Sequence, residues 1–237
     1  MKKIHKPKIS KPAKNAKNHV QLKFLPEYKR FGMKNGLDNF AKEFMIKRAH
    51  DISMYCNGKV GVYINGSKIK VKSLTDYHKI LQIDNVDYMG LDKPEILKGT
   101  NKEFKYEAII SSSKPAFAMS FVNGIATYSN GTHVKSFLEV LSQELLSKMK
   151  TMTKYKEISK NLKPQHIRDR LFVVLKTEII KPRFNGQSKE ELITESKKLK
   201  KYVSFTDSSL KRIIEKQGLG DIFNDKLEDT YAKEAKK

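Results

Sequence analysis

The chain has 237 residues, 38% hydrophobic and 31% charged, which gives length for one sizeable domain with appendages and the balance of a soluble globular protein. Its 48 Lys and Arg against 26 Asp and Glu leave +22, so a polyanion is the first expected partner; DNA, RNA and an anionic membrane surface all qualify, and a solvated lysine-rich surface is the bland reading. The single cysteine, Cys56, excludes an intramolecular disulfide, no Cys/His cluster is spaced for zinc, and no run approaches the ~18 apolar residues of a membrane span, so an intracellular protein is expected.

Residues 1–20 hold seven lysines and no acid, the composition of a flexible basic arm. Val20, Leu22 and Phe24 then alternate with Gln21 and Lys23 as in a half-buried strand, which Pro26 stops. From Leu37, apolar residues at Phe40, Ala41, Phe44, Met45, Ala49, Ile52, Tyr55 and Cys56 follow a 3.6-residue repeat and predict an amphipathic helix packed on that stripe. Residues 60–64 and 67–71, joined by Asn65-Gly66, read as a hairpin, because Asn-Gly accepts the positive φ angles of a tight turn. A short helix follows near 75–81, and the stretch to Gly99 carries no clear pattern.

Tyr106–Ser111 and Ala116–Val122 read as a strand pair joined by a Ser-Ser-Ser-Lys-Pro turn. Thr132 suits an N-cap, and Val134, Phe137, Leu138, Leu141, Leu145 and Met149 continue at helical spacing. Residues 151–163 are basic and aperiodic, a loop; Pro164 opens a brief helix. The run Leu171–Leu175 with Ile179 and Ile180 reads as a buried central strand, and Asp207–Gln217 as a capped helix ending at Gly218.

The central strand runs into Lys181-Pro182-Arg183-Phe184-Asn185-Gly186-Gln187-Ser188-Lys189-Glu190-Glu191-Leu192. This short polar loop presents an amide, a hydroxyl and an ammonium group together. A lysine held on such a loop is a point charge suited to a terminal phosphate, with Gln187 as a second donor; a surface turn is the plain alternative. No GxxxxGK[ST] loop, GxGxxG, HExxH or nucleophile elbow occurs, and His133 reads as local structure.

Four separated stretches, in order, resemble the type IIA DNA topoisomerases. Phe24-Leu25-Pro26-Glu27-Tyr28-Lys29-Arg30-Phe31 is similar to that family's F-x-P-D-x-x-x-F, Tyr63-Ile64-Asn65-Gly66 to its LNGK hairpin, Ser120–Thr127 with Gly131-Thr132-His133-Val134 to its FVNsIaT…GGTHV, and Lys181–Leu192 to its NPxFxxQTKExL. The resemblance implies the transducer region between the ATPase domain and the cleavage core. That fold is α+β, with a mixed, mostly antiparallel sheet, helices on one face and a left-handed βαβ crossover. It implies a basic arm over 1–19, the last strand of an otherwise missing nucleotide-binding domain over 20–33, the transducer over 34–217 and a linker or helical extension over 218–237.

By the same resemblance Gln187, Ser188 and Lys189 would meet the γ-phosphate of ATP, with Ser188 for the usual threonine. Lys148, Lys150 and Lys154 would meet DNA, matched only by placement and charge. The ATPase motifs, the metal-binding cleavage motifs and the DNA-attacking tyrosine have no counterpart here, so the isolated chain is expected to be inactive, with Mg2+ confined to the missing domains. A split-gene subunit or a fragment is implied, with DNA and other topoisomerase subunits as partners and a homodimer formed through the missing parts. The alternative is a basic nucleic-acid-binding module, of ribosome-associated type, with no ATP role.

Overall fold

A computed structural model describes residues 8–11, 14, 19–81, 94–112 and 116–224; most of the expected basic arm and residues 225–237 lie outside them. Two compact units divide between Glu43 and Phe44. In the first, residues 20–24 form no strand, and Val20, Leu22 and Phe24 are exposed. Their alternation is that of a strand, but strand hydrogen bonds need a neighbour, and the described residues supply none.

The elements in chain order are α1 (Asn39–Tyr55), β1 (Tyr63–Ile64), β2 (Ser67–Lys68), α2 (Leu74–Leu81), β3 (Glu95–Thr100), β4 (Phe104–Ser112), β5 (Phe117–Val122), β6 (Ile125–Ala126), α3 (Thr132–Thr151), α4 (Lys156–Ser159), α5 (Pro164–Arg168), β7 (Leu171–Ile179), α6 (Ser196–Lys200) and α7 (Asp207–Lys216). The β1–β2 hairpin turns on Asn65 and Gly66, both at positive φ, as its dipeptide requires. Residues 151–163 are not a plain loop: a 3₁₀ turn and α4 bury Tyr155 and Ile158, whose spacing is too short to register as a repeat.

The main sheet runs β3-β4-β7-β5-β6, antiparallel except for β5 and β7, and α3 to α5 lie in the connection between those parallel neighbours. The α+β class with a mixed, mostly antiparallel sheet is the one expected. β4 and β5 do not pair with each other, however; β7 lies between them, because its unbroken apolar run is buried on both faces and belongs at the centre.

Alternate residues of β7 feed two cores. Leu171, Val173 and Leu175 pack with Phe137, Leu141, Leu145 and Met149 of α3 and with Ile213 and Ile214 of α7; Phe172 and Val174 pack with Met54, Leu74 and Tyr77. Helices therefore cover the second face as well, where α1 and α2 lie beside the hairpin, in addition to the expected layer around α3.

Helix α1 forms where its repeat predicts, yet its buried side is Asp51, Ser53 and Met54, while Phe44, Met45 and Ile52 are exposed. Polar contacts turn it. Asp51, with no exposed surface, pairs with Lys47 at 3.0 Å and Arg48 at 3.7 Å and accepts from the Tyr77 hydroxyl at 2.6 Å, and the Ser53 hydroxyl donates to the Val71 carbonyl at 2.7 Å.

Candidate functional site

β7 delivers the chain through Ile180 and Pro182 into a hairpin. The Ile193 N–H donates to the Arg183 carbonyl at 2.8 Å, Phe184 bridges Leu192, and the Asn185 N–H and side-chain amide donate to the carbonyl and carboxylate of Glu191 at 3.0 and 2.9 Å. At the tip the Lys189 N–H closes a turn on the Gly186 carbonyl at 3.1 Å. Gln187 and Ser188 are exposed there, and Lys189 is half-buried.

The return limb of this hairpin is sewn to the start of α3. The Ser129 N–H donates to the Glu190 carbonyl at 3.1 Å, the Leu192 N–H to the Asn130 carbonyl at 3.1 Å, and the Thr132 N–H to the Leu192 carbonyl at 2.9 Å. Leu192 is fully buried by this docking. Gly131 makes the approach possible: it sits at φ +129°, and a Cβ there would stand 2.3 Å from the Leu192 carbonyl oxygen. Two stretches about sixty residues apart in sequence are thus one structure.

Thr132 is the first residue of α3 instead of its cap, the N-cap being Gly131; its hydroxyl is turned to the Leu192 carbonyl at 3.2 Å. Asn130 adopts the left-handed conformation that asparagine tolerates, at φ +57°, and accepts from Ser120 at 2.9 Å. His133, wholly buried, is hydrogen-bonded to the Thr127 hydroxyl at 3.4 Å, and burial pulls its pKa down to about 3, so it is neutral and structural.

Lys189 is held at φ +58°, where a side chain with a Cβ costs about 1–2 kcal/mol, and it has no ion-pair partner among the described residues. The hairpin therefore presents an uncommitted ammonium group beside an exposed amide and hydroxyl, a donor set that fits one edge of a phosphate. Among the described residues, no three His, Cys, Asp or Glu are grouped to hold a metal ion, and no helix is long and apolar enough to cross a membrane.

The three lysines named for DNA differ in circumstance. Lys148 is paired with Asp207 at 2.7 Å. Lys154 is paired with Asp221 at 2.7 Å and lies over the Tyr155 ring, and the Asp221 hydrogen bond raises its pKa. Lys150 is exposed, with no ion pair among the described residues. Lys148 and Lys150 lie in the last turn of α3, about 24 and 27 Å along the helix from the docked hairpin at 1.5 Å per residue, so these lysines and Lys189 form two separate places. The seam itself runs through the backbone of Ser129, Asn130, Thr132, Glu190 and Leu192, so side-chain type does not announce it in the sequence.

Residues 63–237 match the family model described as DNA gyrase B. The chain belongs to the DNA gyrase B family. It is 32% identical over 206 residues to DNA topoisomerase 2 of Saccharomyces cerevisiae and 29% identical over 229 residues to that of Penicillium chrysogenum, covering 81% and 94% of this chain but 14% of either relative. Among solved structures it resembles the ATPase region of S. cerevisiae topoisomerase II bound to ICRF-187, at TM-score 0.66 and 28% identity over 84% of this chain and 48% of that one. The 43K ATPase domain of Thermus thermophilus gyrase B shares the fold at TM-score 0.57 and 19% identity, over 89% of this chain and 57% of that one. The chain thus spans about half of a solved ATPase region and a small part of the curated family members.

Proposed function

We propose that this chain is the transducer part of an ATP-dependent type II DNA topoisomerase, in which Lys189 senses the ATP γ-phosphate and passes its presence to the movement of DNA. The observation that supports this most directly is the hairpin itself. A lysine with no ion pair among the described residues, in a strained conformation, is carried on a loop sewn to the first turn of the longest described helix. Bound ATP supplies the phosphate and, by its hydrolysis, the driving free energy. Lys189 contributes charge to the terminal phosphate, Gln187 and Ser188 contribute donors, and Leu192 with Gly131 transmits the hairpin's position to α3.

In this reading the hairpin has two arrangements, engaged on a nucleotide held by the rest of the ATPase region or released from it, and ATP favours the first by its extra contacts to Lys189. Magnesium is assigned to the domains outside this chain, as are dimerisation and DNA cleavage. The domain reading places the basic arm at 1–19, the end of a nucleotide-binding domain at 20–33, the transducer at 34–217 and a linker at 218–237. DNA is the polyanion that the net charge of +22 serves, with Lys150 the most available of the three lysines.

The test is complementation. With the remaining ATPase region supplied as a separate chain, Lys189→Ala is expected to lower ATP turnover about 10²–10³-fold while leaving the fold intact, as loss of one charged donor to a transition state does. Equal turnover in wild type and variant, or turnover by the 237-residue chain alone, would overturn the assignment.

A further inference from the structure

A second feature of the hairpin lies at its root, away from Gln187, Ser188 and Lys189. Between the end of β7, the β3–β4 turn and α6 is a cavity of about 450 Å³, a size usual for small-molecule sites. Its inner wall is core surface, Phe104, Ile179 and Leu199, and Tyr202 closes one side. Charged groups stand at its rim. Glu103 is committed, accepting from the Tyr202 hydroxyl at 3.0 Å and paired with Lys198 at 3.5 Å. Lys181 and Arg183 have no ion-pair partner among the described residues and face a single further acid, Glu195, so the rim carries one positive charge in excess.

Both cations are held in place. The Arg183 N–H donates to the Thr194 hydroxyl at 2.9 Å and its carbonyl accepts from Ile193, which fixes the root of its side chain. Lys181 sits at φ +51°. Of the six described non-glycine residues at positive φ, four are asparagines, which tolerate that conformation through local hydrogen bonds; the other two are Lys181 and Lys189, which have no such relief. Strain kept at a lysine with no ion-pair partner among the described residues is a mark of a functional position, and here it marks both ends of the hairpin.

We propose that this cavity binds a small organic monoanion, a flat apolar body bearing one carboxylate, with Lys181 and Arg183 on the carboxylate and Ile180 and Tyr202, the accessible apolar groups of its wall, on the body. Since the cavity is walled by both limbs of the hairpin root, its occupant would bias the setting of the loop that carries Lys189. This site does not depend on any role of Lys189 with ATP.

The experiment uses the 15N-labelled full chain and 2-naphthoate as probe, followed by NMR. Saturable shifts are expected at the amides of Ile180, Thr194 and Tyr202. Uncharged 2-naphthamide is expected to bind about tenfold more weakly, the equivalent of about 1.4 kcal/mol. Lys181→Asn with Arg183→Gln is expected to weaken 2-naphthoate by at least about tenfold with an unchanged thermal midpoint. Asparagine suits the φ of position 181, and each substitution made singly gives a folded comparison. Absence of shifts up to about 5 mM probe, shifts centred on the exposed apolar residues of α1, or equal binding of the amide or by the single and double variants would overturn the proposal.

Discussion

Gly131→Ala isolates the seam between the hairpin and α3. An added Cβ would lie 2.3 Å from the carbonyl oxygen, 2.5 Å from the nitrogen and 2.9 Å from the carbonyl carbon of Leu192, all backbone, and φ +129° is itself unsuited to alanine. The clash is relieved only if the hairpin lifts. Lifting forfeits the Thr132-to-Leu192 and Leu192-to-Asn130 hydrogen bonds, about 1 kcal/mol each, and exposes Leu192, about 2 kcal/mol more. Opening of the hairpin should therefore become easier by about 3–4 kcal/mol, or about 10²–10³-fold in its equilibrium. Native-state hydrogen exchange reads this at the Leu192 and Thr132 amides, whose protection should fall by that factor while β7 amides change little. Gly186→Ala is the control, since nothing lies within 4 Å of its Cβ and its φ is ordinary. Unchanged protection at Leu192 in Gly131→Ala, or an equal loss in Gly186→Ala, would refute the claim that Gly131 permits the docking.

Lys189→Gly removes both the ammonium group and the left-handed strain, so the chain should be unchanged or up to about 1 kcal/mol more stable in urea unfolding while complemented ATP turnover falls as for Lys189→Ala. His133 has a folded pKa of about 3 against 6.5 unfolded, so the unfolded chain binds the extra proton and stability falls as pH drops below about 6.5; from pH 7 to 5 the loss is about 2 kcal/mol, and His133→Gln should flatten that slope in urea titrations, with His78 acting in the same direction. Tyr77→Phe strips Asp51 of a 2.6 Å hydrogen bond and should cost about 1–3 kcal/mol by the same measurement. In duplex DNA binding, Lys150→Ala should reduce the salt slope by about 0.9, while Lys148→Ala and Lys154→Ala reduce it less, because Asp207 and Asp221 already neutralise those lysines.

Much of this architecture is legible as period. The helical spacing from Val134 to Met149 marks α3, and the uninterrupted run Leu171–Leu175 marks the central strand, because burial on one face or on two leaves different patterns. Adjacency is not written that way. Nothing in β4 or β5 announces that β7 separates them, since pairing is decided between distant strands. β3 leaves no clear pattern because its alternation is inverted at the start, with Glu95 buried in its pair with Arg212 and Ile96 exposed, and because Gly99 brings no side chain; the Tyr106 ring occupies that space, 2.2 Å from where a Cβ on Gly99 would stand. In α1 the repeat locates the helix but not its buried side, which the ionic anchoring of Asp51 decides. At the site, the loop and its lysine can be named from sequence, whereas the seam to Asn130–Thr132 depends on a non-local backbone approach that only Gly131 betrays.

Helix α3 has twenty residues and is therefore about 30 Å long, clasped along its length by α5, α6 and α7. One end is stitched to the hairpin and the other carries Lys148 and Lys150. Under the proposed function such a rod would serve as a lever: a tilt of about 5° about its stitched end would sweep the far end through about 2.6 Å, roughly half a helical turn, without unmaking any hydrogen bond inside the helix. A small adjustment at the loop would then be magnified at the basic end, where Lys150 stands exposed.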